Sequence, residues 1–222
     1  MSLIVLNFHG IGEPHAGVPM DERPYWLSQD LFCDLLDRIA AEYDPQEFAY
    51  TFDDGNASDI LAAEMLAERG AAGRFFVLAG RLGDEHYLSG TDLRQLKEMG
   101  MIVGLHGRSH VDWRACDDTD MHVEIDVARS DLEAALGARI DEVAIPFGRY
   151  NRRVIAKLWQ ARFERIHTSD GGLTIPEAKV WNRNTLRNDM DEAVLHKTLS
   201  GQWSRAQNLK RAVRSMMKRH VF

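Results

Sequence analysis

Residues 49–58 read AYTFDDGNAS, a run of apolar and aromatic side chains that leads into two adjacent aspartates, a glycine and an asparagine. The first four residues are typical of a β-strand, and Gly55 marks a point where the chain turns. Two interpretations of Asp53 and Asp54 follow. Their carboxylates either bind backbone N–H groups in a polar turn or provide chemical groups at the end of a strand.

Short apolar runs like this one alternate with helical patterns along the whole chain. Strands are predicted at 3–8, 47–52, 73–79, 101–106, 141–147, 165–169 and 180–186. Helices are predicted at 28–43, 58–70, 89–100, 121–137, 151–162 and 191–201, with Ser58 and Thr91 as N-caps. The alternation is typical of a parallel α/β sheet, and without a Pro- or Ser-rich linker one domain spans 1–222. A barrel of seven or eight strands and an open doubly wound sheet both fit this pattern.

Composition restricts the classes of function. The net charge of −7 argues against general nucleic-acid binding, which needs a basic surface. Cys33 and Cys116 lie far apart without metal-site or redox spacing, which suits a reducing compartment. The apolar run at 3–6 is too short for a signal peptide and has no basic residues before it. We therefore expect a cytoplasmic protein.

The segment 202–222 differs from the rest of the chain because it carries six Lys or Arg residues and no Asp or Glu. Leu209, Val213 and Met216 or Met217 recur within it at helical spacing, so a basic C-terminal helix is predicted. One interpretation packs this apolar stripe on the domain and leaves the basic face in solvent. The other makes 205–219 a docking helix for an acidic lipid surface or an acidic partner.

Reactive side chains collect at the predicted strand ends. His9 follows the first strand, Asp53 and Asp54 the second, and the sequence HGRSH supplies His106 and His110 after the fourth. If the sheet is parallel, these ends share one edge. On a helical turn the i, i+4 spacing of the two histidines would place both imidazoles on one side, as a divalent metal requires. Two histidines and one carboxylate form a known catalytic zinc set.

These motifs identify a resemblance to a known family. TFDDG, followed some 50 residues later by the H-x-x-x-H of HGRSH, resembles the polysaccharide deacetylase family, whose domain is also called the nodulation-factor deacetylase homology domain. The segment 73–110, the helix EIDVARSDLEAALG, AIPFG and HTSDGG resemble the later parts of that domain in the same order. The resemblance implies a distorted (β/α) barrel of about seven strands.

The resemblance also implies roles for single residues. Asp54, His106 and His110 would bind one divalent metal, usually zinc, and Asp53 would act as the general base that activates water on the metal. The water would attack the acetamide of an N-acetylated sugar and release acetate. A backbone N–H near Phe147, in the motif Pro146-Phe147-Gly148, would stabilise the oxyanion together with the metal.

Two positions depart from the family pattern. The family arginine that pairs with the catalytic aspartate stands two residues before the motif proline, where this chain has Ala144. Arg149 and Arg183 are candidate replacements, and we favour Arg183 because it lies on a strand of its own and arginine binds a carboxylate through two bonds. The family's late acid histidine has no clear equivalent. Some relatives are circularly permuted, and LNFHGIG resembles their opening, so we favour His9 as the general acid, with His167 and His196 as alternatives.

The sequence therefore predicts a metal-dependent hydrolase that removes the N-acetyl group from an amino sugar in a glycan or glycan precursor. A lipid-linked or nucleotide-linked sugar suits the expected location better than a finished wall polymer. Two alternatives stay open. One is hydrolysis of another amide, such as a cyclic imide or a small nitrogen compound. Ala144 in place of the family arginine keeps it open, because part of the catalytic apparatus must then be arranged differently. The other is a family member that binds glycan without turnover.

Overall fold

The computed structural model describes the backbone of residues 2–220 and the side chains of residues 2–218. Its strands are β1 (Ile4–Phe8), β2 (Gly10–Ile11), β3 (Trp26–Leu27), β4 (Phe48–Phe52), β5 (Gly73–Val77), β6 (Ile102–Leu105), β7 (Glu142–Ala144), β8 (Arg165–Thr168) and β9 (Val180–Thr185). Seven of them form a closed parallel barrel in the order β1-β4-β5-β6-β7-β8-β9, and β9 closes it against β1. Strands β2 and β3 pair with each other beside the barrel. The predicted seven-strand barrel is confirmed.

Helices follow the barrel strands, as the alternation predicted. They are α1 (Gln29–Glu42), α2 (Asp59–Glu68), α3 (Gly90–Glu98), α4 (Asp118–His122), α5 (Ala128–Leu136), α6 (Arg152–Gln160), α7 (Glu192–Leu199) and α8 (Arg205–His220). The single helix predicted at 121–137 begins earlier, at Asp118, and a π-helical turn at Val123–Val127 joins α4 to α5. None of the helices within residues 2–220 is long and apolar enough to cross a membrane.

The N-caps differ partly from the prediction. Ser58 precedes α2, but its hydroxyl accepts a hydrogen bond from the Ile11 backbone instead of capping the helix. Thr91 lies inside α3, and Ser89 caps that helix through a capping box with Asp92. The Thr91 prediction was wrong because the reciprocal bonds of a capping box satisfy two backbone N–H groups, one more than a lone threonine would.

Side chains along each barrel strand alternate between two environments, because successive residues of a strand point to opposite faces. In β4, Phe48, Tyr50 and Phe52 join the large apolar core formed with the helices. Ala49, between them, belongs to a small separate cluster with Leu3, Val5 and Trp181. We infer that this small cluster lies inside the barrel and that the larger core lies between barrel and helices.

Charged side chains share the barrel interior with this small cluster. We call Arg74, Glu142, Arg165 and His167 the interior cluster. Glu142 Oε2 accepts hydrogen bonds from Arg74 Nε at 3.1 Å and His167 Nε2 at 2.8 Å, and Oε1 accepts one from Arg165 Nη1 at 2.6 Å. Both guanidinium groups stack on Trp181, at 4.6 and 4.1 Å from the ring centroid. The carboxylate is therefore buried with enough donors to stay ionised.

The pKa values of this cluster agree with that conclusion. Burial alone would raise the pKa of Glu142, but His167 and the two arginines outweigh it and lower the pKa to about 2. Burial lowers the pKa of His167 to about 4, so the imidazole is neutral at pH 7. Its Nδ1 has no hydrogen-bond partner among the described residues, so the single proton lies on Nε2, which faces Glu142.

Helix α8 is basic as predicted, but its orientation contradicts the interpretation in which the apolar stripe packs on the domain. Leu209, Val213, Met216 and Met217 are 40–67% exposed. The polar side faces the domain instead, because Ser215 Oγ lies 3.3 Å from the Tyr150 hydroxyl and Lys218 Nζ binds Asp170 at 2.6 Å.

Candidate active site

The candidate site lies at the carboxyl ends of the barrel strands. The cleft there has a volume of about 330 Å³, and we call it the catalytic cleft. It is lined by Asn7, His9, Glu22, Tyr25, Asp53, Asp54, His106, His110, Phe147, Arg149, Ser169 and Thr185. Asp53 and Thr185, which line the cleft, lie an even number of residues after the interior residues Ala49 and Trp181. Each pair therefore faces the same side of its strand.

Asp54, His106 and His110 come together in this cleft. Asp54 Oδ1 lies 3.6 Å from Nε2 of each histidine. One ligand atom from each of the three residues lies within 4.8 Å of the others. His106 Nδ1 lies 3.0 Å from the Ala144 carbonyl oxygen. Because a carbonyl oxygen can only accept a hydrogen bond, Nδ1 carries the proton and Nε2 has a free lone pair directed to the cleft.

The spacing of the two histidines suggested a helical turn, but the structure shows none there. His106 leaves the end of β6, and His110 follows in a loop with a left-handed backbone, φ 52°. Gly107, between them, has φ 89°, and a side chain there would meet Glu124 Oε2 at 2.8 Å. The loop brings the two imidazoles together, with ring centroids 5.2 Å apart.

Glu124 holds this loop in place. Its carboxylate accepts hydrogen bonds from the backbone N–H groups of Arg108 at 2.9 Å and Ser109 at 3.1 Å, and from Trp113 Nε1 at 3.3 Å. The side chain is buried and lies in the π-helical turn. Such π-helical turns inside α-helices often occur at functional sites, and here the turn carries the residue that binds the His110 loop.

The residues present fit a divalent cation. Burial raises the pKa of Asp54 to about 6, with a further contribution from Asp53 that His9 partly offsets. Burial lowers the pKa of His106 to about 3 and also lowers that of His110, so both imidazoles are neutral and able to act as ligands. Asp54 Oδ1 is buried without a hydrogen-bond partner among the described residues. A cation beside these atoms would satisfy that oxygen and stabilise its charge.

Asp53 is held by the buried Arg183, which lies on β9, across β1 from the end of β4. Arg183 Nη1 donates to Asp53 Oδ1 at 2.5 Å, and Nη2 donates to Oδ2 at 2.8 Å. Asn7 Nδ2 donates to Oδ2 at 3.1 Å, while its own Oδ1 accepts from Arg183 Nη1 at 2.6 Å. Both members of the pair are at least 97% buried, with 3% of Asp53 and 1% of Arg183 exposed. Burial would raise the pKa of Asp53, but Arg183 and then His106 hold it well below its usual range.

Arg183 makes the contact with Asp53 that the family resemblance assigns to an arginine at position 144, where this chain has alanine. Ala144 is fully buried at the end of β7, where its carbonyl oxygen binds His106. Arg149, the other candidate, lines the cleft, but its Nη1 lies 3.7 Å from Asp112. Arg183 reaches Asp53 because β9 and β4 both pair with β1, which places Arg183 on one side of β1 and the end of β4 on the other.

Of the three histidines proposed as general acid, only His9 lines the catalytic cleft. Its ring lies 5.0 Å from that of Tyr25, and its Nδ1 has no hydrogen-bond partner among the described residues. His167 belongs to the interior cluster and binds Glu142. His196 lies in α7, where its Nδ1 is 3.4 Å from the Tyr43 hydroxyl. The geometry disfavours His167 and His196.

The motif Pro146-Phe147-Gly148 forms a short 3₁₀ turn after β7. Phe147 has φ 56° and lines the cleft, with its ring 4.3 Å from that of His110. Pro146 and Gly148 are buried behind it. A side chain at Gly148 would meet Ser169 Cβ at 2.7 Å, so glycine allows the turn to approach the exit of β8.

Sequence reasoning missed several residues that surround the site. Asn7 and Thr51 form the buried network under Asp53, where Thr51 Oγ1 donates to Asn7 Oδ1 at 2.8 Å. The available signal was a polar residue in each of two otherwise apolar strands. Glu22 reaches the cleft from the segment before β3, which has no strand or helix pattern to reveal its position.

Comparison with known proteins agrees with the fold. The profile of the polysaccharide deacetylase family matches residues 40–166. A chitooligosaccharide deacetylase from Rhizobium leguminosarum bv. trifolii is 28% identical over 134 residues, which cover 57% of this chain and 58% of that relative. This chain belongs to the polysaccharide deacetylase family.

Solved structures share the barrel at low sequence identity. A polysaccharide deacetylase from Bacillus cereus has a TM-score of 0.75 at 16% identity, covering 90% of this chain and 69% of that chain. A deacetylase from Streptococcus pyogenes, determined with acetate, has a TM-score of 0.74 at 20% identity, covering 90% of this chain and 98% of that chain. These similarities extend the shared fold well beyond the segment matched by the family profile.

Proposed function

We propose that this chain is a metal-dependent hydrolase that removes the N-acetyl group from an amino sugar in a glycan or glycan precursor. The observation that carries the proposal is the arrangement of two adjacent carboxylates with different partners. Asp54 faces His106 and His110, whereas Asp53 is bound by Arg183. Membership of the polysaccharide deacetylase family and the chitooligosaccharide deacetylase relative support an acetylated sugar as substrate.

Asp54, His106 and His110 would hold one divalent cation, most simply zinc, because neutral imidazoles and a carboxylate are its preferred nitrogen and oxygen ligands. The cation supplies Lewis acidity to the acetamide carbonyl and to the attacking water. His106 is fixed for this task by its bond to the Ala144 carbonyl, and His110 by the loop that Glu124 binds. Each histidine ligand is thus oriented by a contact with a group that would not itself bind the cation.

Asp53 accepts the proton of the attacking water in this proposal. Its low pKa keeps it ionised at every working pH, and its two bonds to Arg183 fix the direction of its lone pairs. Asn7 Nδ2 donates a further hydrogen bond to the Asp53 carboxylate. A base this weak needs a water of raised acidity, and a cation held by Asp54, His106 and His110 would supply it.

His9 and Phe147 complete the proposed mechanism from opposite walls of the cleft. His9 donates a proton to the departing amine, so that a free amino sugar and acetate leave the site. The backbone N–H of Phe147 donates to the oxyanion that develops on the acetamide oxygen, an interaction that contributes about 2.7–4 kcal/mol in acyl transfer. Both residues line the cleft that holds Asp53 and Asp54.

The test measures metal content and acetate release together. Asp53→Asn should abolish release from N-acetylglucosamine oligomers while keeping bound zinc, and Asp54→Ala should lose the zinc. Asp30→Asn, on the exposed start of α1, is the matched control and should retain both. Near-normal turnover by Asp53→Asn would show that the base is assigned wrongly. Wild-type protein that binds glycan and zinc without any turnover would favour the non-catalytic alternative.

A further inference from the structure

A second cleft adjoins the catalytic cleft and has a different character. It has a volume of about 670 Å³. Phe147, Arg149 and Ser169 line both clefts, so they share one wall. We call the second one the basic cleft, because its charged lining residues are Arg114, Arg149, Arg214, Lys218 and Asp112.

The charge of this cleft is opposite to that of the protein. Four cationic side chains face one carboxylate in its lining, whereas the whole chain has a net charge of −7. Clustered cations repel one another, which costs free energy unless an anion joins them. A cleft of this charge beside an active site therefore favours an anionic ligand.

Ion pairs within the protein neutralise only part of the basic cleft. Arg114 binds Asp112 through Nε at 2.9 Å and Nη2 at 2.6 Å, and Arg149 Nη1 lies 3.7 Å from the same residue. Lys218 is paired with Asp170 at 2.6 Å. Within the described side chains Arg214 makes no ion pair. Arg149 has a long contact to a carboxylate already bound by Arg114. These two guanidinium groups therefore keep donors for a ligand.

Helix α8 is fixed against the turn that carries Phe147, so the basic cleft is a built feature of the domain. Lys218 Nζ donates to the Gly148 carbonyl oxygen at 3.1 Å as well as to Asp170. The Tyr150 hydroxyl binds Asp170 and lies 3.3 Å from Ser215 Oγ. These contacts hold Arg214, one turn before Lys218 on the same helix, in the lining of the basic cleft.

We propose that the natural substrate carries an anionic group, a phosphate ester or a carboxylate, that binds in the basic cleft while its N-acetyl group lies in the catalytic cleft. This inference rests on the proposed function above. Arginine binds either anion through paired N–H groups, and the shared wall at Phe147 and Arg149 lets one substrate occupy both clefts. A neutral chitooligosaccharide offers no such group, so it would use only part of the available binding energy.

The first arm of the test measures anion binding without catalysis. Inorganic phosphate is titrated by calorimetry into the zinc-loaded protein, the Arg214→Gln variant and the Arg205→Gln variant. Arg205 is exposed at the start of α8, outside both clefts, and serves as the matched control. We expect Arg214→Gln to weaken phosphate binding about tenfold, the scale of one charged hydrogen bond, and Arg205→Gln to bind like the wild type. Equal phosphate affinity in all three proteins, with unchanged melting temperatures, would overturn the inference.

The second arm compares acetate release from N-acetylglucosamine, its 1-phosphate and a carboxylate-bearing N-acetylated sugar. We expect kcat/KM to be higher for an anionic sugar, and Arg214→Gln to reduce that preference about tenfold. The phosphate and carboxylate substrates distinguish the source of the anion. A wild-type enzyme with no preference for either would overturn the inference. No acetate from any substrate, with Arg214-dependent phosphate binding, would refute the deacetylase proposal and leave the anion site standing.

Discussion

Replacing Arg183 by methionine removes the partner of a buried carboxylate while keeping an unbranched apolar chain in place of the arginine stem. The variant loses two hydrogen bonds to Asp53, at 2.5 and 2.8 Å, and one to Asn7 at 2.6 Å. Breaking a buried ion pair by removing one partner costs about 3–5 kcal/mol, because the remaining charge is left unpaired. We therefore expect the free energy of unfolding at pH 7 to fall by that amount.

The pH dependence of this loss has a definite sign. In the wild type the pKa of Asp53 is held below its usual 3.8, so the stabilisation from the pair is complete above that value and is lost as pH falls through the lower folded pKa. In Arg183→Met burial acts with less opposition and raises the pKa of Asp53. The deficit of the variant should therefore be largest at pH 7 and shrink as the pH falls toward 4.

The assay is urea denaturation of metal-free and zinc-loaded protein at several pH values, with acetate release measured in parallel. Asp53→Asn in the Arg183→Met background serves as the control, because replacing both members of a buried pair is often nearly neutral. It should recover most of the lost stability. A single Arg183→Met variant as stable as wild type at pH 7, or with a deficit that does not change with pH, would refute the reasoning.

Three further predictions concern other parts of the structure. Glu124→Ala should weaken zinc binding about 10–100-fold in a chelator titration, since the loop that presents His110 loses its anchor while the ligands remain. Glu142→Gln should lower the free energy of unfolding at pH 7 by about 3 kcal/mol, and the difference should disappear as pH falls from 4.5 to about 2; a constant difference would contradict the assigned pKa. If 205–219 docks on acidic lipid, the protein should sediment with anionic vesicles but not with neutral ones, and Leu209→Ser with Val213→Ser should abolish this, since the stripe is exposed.

The alternation of apolar runs and helical patterns was sufficient to place the strands and helices and to give the α/β class, because strand and helix periodicities are local properties of the chain. Each barrel strand lies within a predicted segment, to within a few residues at its ends. The choice between a closed barrel and an open sheet depended on the family resemblance. Closure is decided by the pairing of the first strand with the last, residues that lie some 180 positions apart.

Candidate residues at strand ends could be chosen from the sequence, since parallel strands share one edge. Their mutual geometry could not. The loop that presents His110 depends on Gly107 and on Glu124, which lies in a helix distorted by a π-turn. The orientation of α8 also escaped prediction, because an amphipathic stripe shows which residues share a face and not which face meets the domain. There the polar contacts of Ser215 and Lys218 face the domain and the apolar stripe stays exposed.

The alternating environments along β4 have a consequence for how this protein tolerates mutation. Phe48, Tyr50 and Phe52 determine whether the chain folds, whereas Thr51 and then Asp53 contact the network under the catalytic cleft. Neighbouring residues of one strand thus serve two different parts of the molecule. A substitution at Thr51 would therefore act on the orientation of Asp53 through Asn7, whereas a substitution at Tyr50 would act on the packing between barrel and helices.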